Sequence, residues 1–483
     1  MRTSLGDTRV RLRFVCISAL SVSLGCACGD QSDPALGGGA NGGSAGTSAS
    51  GGAGGAAGAP TTGGAAGTAG TTGGSAGAGS GGTAGAGNAG SAGAAGSDGS
   101  GTFLGAPIPT ASGGTPTRPI FEETEAAPFT VLGYLAQAGN VTAPTKDDWD
   151  PTAGVGDTSS LTPTFEVEEG GTHETVQSAV DAAVTAGGTE RVFIRVAAGT
   201  YREVVCVPSG APPITLYGAG ASPDDTVIVF DNYNGKAKEA GEPANPCNPN
   251  LSGTTFGTSG SATFAAFASG FQAKNLTIAN DTEEAGLSTG TQAVALMTQG
   301  DKIVLDDVRL VANQDTLYAK TSDPGLIQRV YIKSSYIEGD VDFIFGRATL
   351  VLDACTIHYL TARQGTKGGY LVAPSTDARN PFGILINGSE LTAEEGTPAG
   401  SIFLGRAWDE SQTDLPTYAT NIAAGVYPNG QIVIRDSTLG AHVSAVTPWG
   451  PSTIKRPYSS VPTAYPANRF FEFANDGPGS AAP

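Results

Sequence analysis

From about residue 190 onward the chain is a succession of short apolar runs that keep returning to one local pattern. Ile214-Thr-Leu-Tyr217, Val227-Ile-Val-Phe230, Ala293-Val-Ala-Leu296, Val330-Tyr-Ile332, Phe343-Ile-Phe345, Leu350-Val-Leu352, Gly383-Ile-Leu-Ile386 and Gln431-Ile-Val-Ile434 have strand length and β-forming side chains. A small or amide residue repeatedly opens a further short run: Asn275-Leu-Thr-Ile, Asp307-Val-Arg-Leu, Ser335-Tyr-Ile, Cys355-Thr-Ile, Ser389-Glu-Leu and Ser437-Thr-Leu. These starts are 32, 28, 20, 34 and 48 residues apart. A unit of about 20 residues carrying loops of varied length fits that spacing. It is the pattern of a β-solenoid, in which each coil buries its apolar side only against the next. A large β-sandwich or barrel has comparable strand spacing and stays open on the residues alone. Helices are too few after residue 190 for an α/β barrel.

What precedes the coils divides by texture. Arg2, Arg9, Arg11 and Arg13 stand before an apolar run, Phe14 to Leu24, that ends in Leu24-Gly25-Cys26. This predicts a signal over residues 1–25, and it resembles the bacterial lipoprotein type, in which Cys26 becomes the lipidated first residue. Cys28 is a competing site. Residues 26–105 hold a stretch, Gly37 to Gly101, made almost wholly of Gly, Ala, Ser and Thr, with Asp98 its only charge. Such a segment buries too little apolar surface to offset chain entropy and reads as a disordered tether. Two Gly-x-Ser-x-Gly matches, at Gly42–Gly46 and Gly73–Gly77, fall inside it, without the strand and helix a nucleophile elbow requires. Residues 106–161 read as an extension lying on the main domain, and residues 162–483 as that domain. The spacing of Val176, Ala179, Val180, Ala183 and Val184 predicts one helix, stopped by Gly187-Gly188, with a strand over Arg191 to Val196.

Charge and cysteine content narrow the function classes. The formal net charge is −19, and loss of the signal, with four Arg and one Asp, makes it −22. That excludes a nucleic-acid-coating role. No run is long enough to span a bilayer, so membrane contact is expected only through the lipid anchor. Export would leave Cys206, Cys247 and Cys355 in an oxidising compartment, where at most one pair forms. Cys206 with Cys247 would close a loop crowded with turn residues. Neither the cysteines nor His173, His358 and His442 make a metal-site spacing, and no metal or other cofactor is expected.

Several polar residues sit inside or at the head of the β-like runs. They are Gln292, the adjacent Gln314 and Asp315, Asp342 in Gly339-Asp-Val-Asp-Phe-Ile-Phe-Gly346, and Arg406 with Trp408 in Leu404-Gly-Arg-Ala-Trp408. Strand alternation would point Asp342 away from a face shared by Val341, Phe343 and Phe345. A carboxylate so flanked needs a partner or a reason. Each residue alone has a structural explanation: an amide ladder, a salt-bridged Asp, plain packing. On successive coils, together, they would line one groove with two carboxylates, two amides and a guanidinium. In such a groove a nucleophilic carboxylate must be ionised, which a guanidinium favours, while an acid must start protonated, which burial beside a second carboxylate favours. Neutral amides would stabilise an oxyanion. Because Gln314 and Asp315 are adjacent, a bend or strand end is expected there.

Gly199-Thr-Tyr-Arg-Glu203, Gln292-Ala-Val-Ala-Leu296, Gln314-Asp-Thr-Leu-Tyr318, Asp342-Phe-Ile-Phe-Gly346 and Leu404-Gly-Arg-Ala-Trp408 occur in an order that resembles the pectinesterases (pectin methylesterases) over roughly residues 162–475. The resemblance implies an all-β, right-handed parallel β-helix and an esterase acting on methyl-esterified pectin (homogalacturonan) outside the cell. Asp342 matches the nucleophile, Asp315 the acid and then base, and Gln292 and Gln314 the oxyanion amides. Arg406 matches the group that holds the nucleophile, and Trp408 the residue that stacks on sugar. Thr258, Tyr370, Phe345 and Val341 match further lining of the groove. The start of the chain resembles the bacterial surface-lipoprotein branch, and a monomer is expected.

Three departures stand out. Ala407 replaces the Pro usual before the Trp, losing a rigid turn and leaving Trp408 less fixed. Many members have Cys where this chain has Ser335, paired with the equivalent of Cys355, so Cys355 is expected unpaired here. Arg363 alone matches the basic polymer contacts that follow. Two alternatives stay open: a carbohydrate-binding member without turnover, and an esterase or thioesterase using the same machinery on another acyl group. Retention of Gln292, Gln314, Asp315, Asp342 and Arg406 argues against the first. A polygalacturonase would need several Asp and a His in one cleft, and no His lies near these motifs.

Overall fold

A coil of short strands must turn at the same point on every rung if its neighbours are to stay in register. In this chain that point is a residue in the left-handed backbone region: Asn275, Asp307, Ser334, Ala354, Gly388, Asp436 and Ala474, all with φ between 49° and 56°. Only one of the seven is glycine, so the conformation is held from outside. The amides of Ser334, Ala354, Gly388 and Asp436 donate to Asp353, Asn387, Arg435 and Phe473 carbonyls of the following rung. The next residue adds a side-chain ladder. Cys355 N donates to Ser389 Oγ at 3.1 Å, Ser389 N to Ser437 Oγ at 3.0 Å, and Ser437 N to Asn475 Oδ1 at 3.1 Å. Asn275 and Asp307 are thus the corner itself, whereas Ser335, Cys355, Ser389 and Ser437 stand one residue beyond it. Reading all six as one position merges two neighbouring roles.

The computed structural model describes residues 103–239, 244–249, 253–287, 289–361 and 369–481. The expected signal, the Gly-rich tether, Cys26 and Arg363 lie outside the described residues. Within them the chain is a right-handed parallel β-helix with three faces. First-face strands such as Arg329–Lys333, Thr349–Asp353, Ile384–Asn387 and Gln431–Arg435 lead through the corner into second-face strands such as Tyr336–Gly339 and Thr356–Tyr359. The third face is a parallel sheet of seven strands: Val205–Val207, Phe264–Ala266, Leu296–Thr298, Leu317–Ala319, Val341–Gly346, Tyr370–Pro374 and Phe403–Gly405. Of the expected run Ala293–Leu296, only Leu296 is in a strand; the segment before it is loop.

Register stacks like on like. One interior column runs Ile194, Leu216, Ala273, Leu305, Ile332, Leu352, Ile386, Ile434 and ends in Glu472. Each aliphatic member buries its side chain, a term of about 1.5–3 kcal/mol for the larger ones. At the column's end Arg118 closes the helix, with Nε to Glu472 Oε1 and Nη2 to Oε2, both 2.8 Å, and both residues buried. The other end is covered by the helix Val176–Ala186, whose Val176, Ala179, Val180 and Ala183 join the core. Thr175 caps it, and Glu203 accepts from the Val176 and Gln177 amides.

The first-face strands are apolar on both sides because both sides are covered. Their outward column, Val304, Tyr331, Val351, Leu385, Val433 and Phe471, packs against Phe121, Phe129, Tyr134 and Leu135 of the segment that precedes the coils. Arg329 locks that layer in place, bonding Asp147 at 2.6 and 3.0 Å and Asp301 at 3.0 and 2.8 Å.

His442, 4% exposed beyond the second-face strand Thr438–Leu439, stacks on Tyr359 at 6.4 Å. Burial, helped by the charge of nearby His358, pulls its imidazole down to about 4. An unfolded chain takes that proton near pH 6.5, the folded one only near 4. Stability is therefore full above pH 6.5 and is lost as pH falls toward 4, by about 3 kcal/mol from this group. Urea midpoints measured between pH 7 and 4 should fall less steeply in His442→Gln; an unchanged pH slope would show that the group contributes nothing.

Candidate active site

The polar residues singled out in the sequence gather at the head of the third-face strands, on consecutive rungs. Leu296, Leu317, Ile344, Val372 and Gly405 are in register across five strands. Gln292 precedes the first of them, Gln314 and Asp315 the second, Asp342 the third and Tyr370 the fourth, while Arg406 follows the fifth.

Asp342 is placed by an irregularity. Its φ is 51°, and the register against the next strand shifts between Val341 and Ile344. The alternation expected of Val341, Phe343 and Phe345 is broken by this bulge. Phe343 and Ile344 both enter the interior core, and Phe345 lies outward with the groove residues. Asp342 is turned to Arg406, which holds it by a two-point fork, Nε to Oδ1 at 2.9 Å and Nη2 to Oδ2 at 2.6 Å. Both side chains are about nine-tenths buried, so water and salt screen the fork less than a surface pair, and its geometry is fixed at two points. The Arg406 guanidinium also lies 4.2 Å over the Tyr370 ring, and Phe403 stacks on that ring at 5.1 Å. Gly450 makes room for it, since a Cβ there would meet the ring at 2.4 Å.

Gln314 and Asp315 form the expected bend. Asp315 has φ 67°, and its amide donates to the Val341 carbonyl at 3.2 Å. Asp315 and Asp342 therefore stand on adjacent rungs, whose backbones are about 4.8 Å apart. Two non-glycine residues in the left-handed region in one site store strain of order 1 kcal/mol or more each. The Gln314 amide is oriented by Thr291, whose hydroxyl donates to its Oε1 at 2.9 Å, turning the NH2 end away. Gln292 is half-buried, its Oε1 without a hydrogen-bond partner among the described residues.

The groove wall is aromatic. Tyr318 and Phe345 stack at 4.3 Å, and Trp408 stands edge-on to both at 5.8 and 5.5 Å. Trp408 is thus held against two rings although Ala407 provides no rigid turn. Thr258 lies at the far side, its Oγ1 accepting from Asn234 Nδ2 at 2.8 Å. Asn234 N in turn donates to the Gln292 carbonyl at 2.8 Å, bracing both. Cys206 and Cys247 are disulfide-bonded at the edge of this wall, and Cys355 is free and buried, its thiol pushed up to about 12 by burial.

Sequence reasoning missed Asn234, Tyr318, the Arg347–Glu410 ion pair and Ser375, whose Oγ donates to Glu410 Oε2 at 2.9 Å. Tyr318 was signalled, as the last residue of the Gln314 run. Asn234 was not, since its partners are 24 and 58 residues away. Among the described residues no group of three His, Cys, Asp or Glu could hold a metal ion. What the arrangement offers is a carboxylate fixed by a guanidinium, a second carboxylate beside it, amide donors and an aromatic platform.

Comparison with known proteins points the same way. Residues 165–438 match the family model described as Pectinesterase. The chain is 45% identical over 384 residues to a pectinesterase of Ralstonia solanacearum, across 79% of this chain and 96% of that one. Among solved structures it is similar to the pectin methyl esterase of the rice weevil: 32% identity, TM-score 0.64, across 76% of this chain and 99% of that one. A mutant pectin methylesterase in complex with a hexasaccharide shares 27% identity, TM-score 0.53, across 67% of this chain and 92% of that one.

Proposed function

Because this chain belongs to the pectinesterase family and is a carboxylic-ester hydrolase, we propose that its third-face groove demethylates galacturonosyl units of pectin, with Asp342 as nucleophile. The observation that carries this assignment is the Arg406 fork on Asp342, one rung from Asp315. The guanidinium holds both carboxylate oxygens of Asp342 and so aims it. An Asp342 oxygen attacks the C6 ester carbonyl, and the carbonyl oxygen takes up charge opposite the amides of Gln292 and Gln314. Asp315 gives its proton to the departing methoxide, so methanol leaves and an acyl-aspartyl anhydride remains. Asp315, now a carboxylate, takes a proton from water, whose oxygen attacks the acyl carbon and releases Asp342. Trp408 supplies the platform for a sugar ring, and Thr258, Val341 and Phe345 line the approach.

Methanol release from methylated pectin tests the roles directly. Asp342→Ala should fall to background. Gln314→Ala should lose about 10²–10³-fold in kcat through one missing oxyanion donor. Equal rates for wild type and Asp342→Ala would remove the mechanism.

Charge sets the expected substrate preference. With the signal removed the chain carries −22, which opposes approach of polygalacturonate and favours neutral, highly esterified or short chains. Initial rates on pectins of graded methylation should rise with ester content, most steeply at low salt. A preference for low-ester pectin refutes it.

The basic, apolar and Gly-Cys sequence at the start supports export and anchoring through a lipidated Cys26, with the Gly-rich stretch as a spacer that lets the enzyme reach a bulky polymer. Cys26→Ala should move the enzyme from the membrane fraction to the medium with its specific activity intact. Retention in the membrane would assign the anchor elsewhere.

A further inference from the structure

The rung that carries Arg406 and Trp408 is fastened by an ion pair that the reaction does not use. Asp409 and Arg456 are both buried, at 0% and 2% exposure. Arg456 Nη2 donates to Asp409 Oδ1 at 2.9 Å and Nε to Oδ2 at 3.2 Å. Nη1 reaches Asn468 Oδ1 at 3.4 Å, and the guanidinium lies 4.9 Å over the ring of Tyr418 in the helix Leu415–Ala424. The backbone on either side of Trp408 is tied to the same loop. Thr453 N donates to the Ala407 carbonyl at 3.0 Å, and Asp409 N to Thr453 Oγ1 at 3.2 Å.

An isolated core gains little from such a pair, because desolvating two charges offsets most of their attraction. What it fixes is geometry. The residues before and after Trp408 are held to the 452–456 loop, so the indole has one direction in which to project: edge-on to Tyr318 and Phe345. The chain lacks a proline at position 407 that would restrict the backbone covalently. Hydrogen bonds from Arg406 N to Val372 O and from Trp408 N to Pro374 O skip the Ala407 amide, so a proline would break neither.

We propose that Asp409 and Arg456 are positioning residues for Trp408, a buried ion pair that does here what a rigid residue before the indole would do. This rests on the reading of Trp408 as the sugar platform. Loss of the pair leaves Asp342, Arg406 and the amides in place, so it alters how sugar is held more than how fast the ester is cleaved.

The test uses the full chain and the double variant Asp409→Asn/Arg456→Met, which leaves no buried charge unpaired. Acrylamide quenching of Trp408 is read as the difference from the matching Trp408→Phe protein, and kcat and KM are measured on a methyl-esterified oligogalacturonide. Quenching should rise about twofold and KM about tenfold, with kcat within about threefold of wild type. Adding Ala407→Pro to the double variant should bring both quantities back toward wild type, which a general loss of stability would not allow. Should the double variant not fold, Arg456→Lys keeps the charge but not the fork and should raise KM by a smaller factor. A folded variant, either one, with unchanged quenching and KM overturns the proposal. So does an Ala407→Pro addition that restores neither. Trp408→Ala separates the two readings: an unchanged KM there removes the platform role, while the quenching difference still decides the positioning.

Discussion

Each rung of this helix must turn at the same backbone position as its neighbours, and the left-handed corner enforces that. A non-glycine residue in this region is disfavoured by contacts with its own Cβ, yet six of seven corners are non-glycine with φ near 50°. The cost is offset where the corner amides of Ser334, Ala354, Gly388 and Asp436 donate to the following rung, and where the next residue's amide finds a side-chain acceptor on that rung. If one corner slipped by a residue, every side chain after it would change face. A slip one way would put Asp306, Lys333, Asp353 and Arg435 in the interior column, and a slip the other way would pull Val304, Tyr331, Val351 and Val433 out of the outer layer. Register at the corner therefore precedes packing in the logic of the fold.

The same constraint builds the site. Third-face strands in register bring together Gln292, Asp315, Asp342 and Arg406, which span more than a hundred residues of sequence. Regular strands would only stack like side chains, so the site arises where regularity fails. A bulge turns Asp342 outward, and a bend separates Gln314 from Asp315. Both carboxylates sit at positive φ, so backbone strain in this face falls at the candidate site. The groove needs no cavity, because a solenoid face is open along its length to a chain polymer.

How much of this the residues disclose depends on the range over which each feature is determined. The corner is local, a small or amide residue between apolar runs, and its spacing is legible to within one residue. The one-residue error arose because Asn275 and Ser335 look alike as small polar residues but do different work. The helix Val176–Ala186 and the bend at Gln314-Asp315 are local too. The placement of Phe345 on the groove was legible only through the family resemblance, because strand alternation assumes no bulge and the register shifts here against the neighbouring rung. Asn234, which joins Thr258 to Gln292, has no local signature at all. Nor does the pairing of the outward column from Val304 to Phe471 with the aromatic residues before the coils, although residues 106–161 read as an extension lying on the main domain.

A solenoid leaves open ends and an uncovered outer layer, and this chain seals those seams with buried arginines. Arg118, Arg329 and Arg469 are among its largest fully buried side chains. Arg118 joins the segment before the coils to the last strand through Glu472. Arg329 joins that segment to the middle rungs through Asp147 and Asp301. Arg469 bonds the carbonyls of Asn429, Asn380 and Asp377 across 40 to 92 residues, and burial pulls its guanidinium down to about 10. Aliphatic contacts would seal the same surfaces with less desolvation, but they would tolerate sliding, since one methyl group resembles another. A guanidinium with five donors in a fixed plane accepts one arrangement of partners. The interior columns thus supply the cohesion of the helix, and the arginines decide where its ends and outer layer stop.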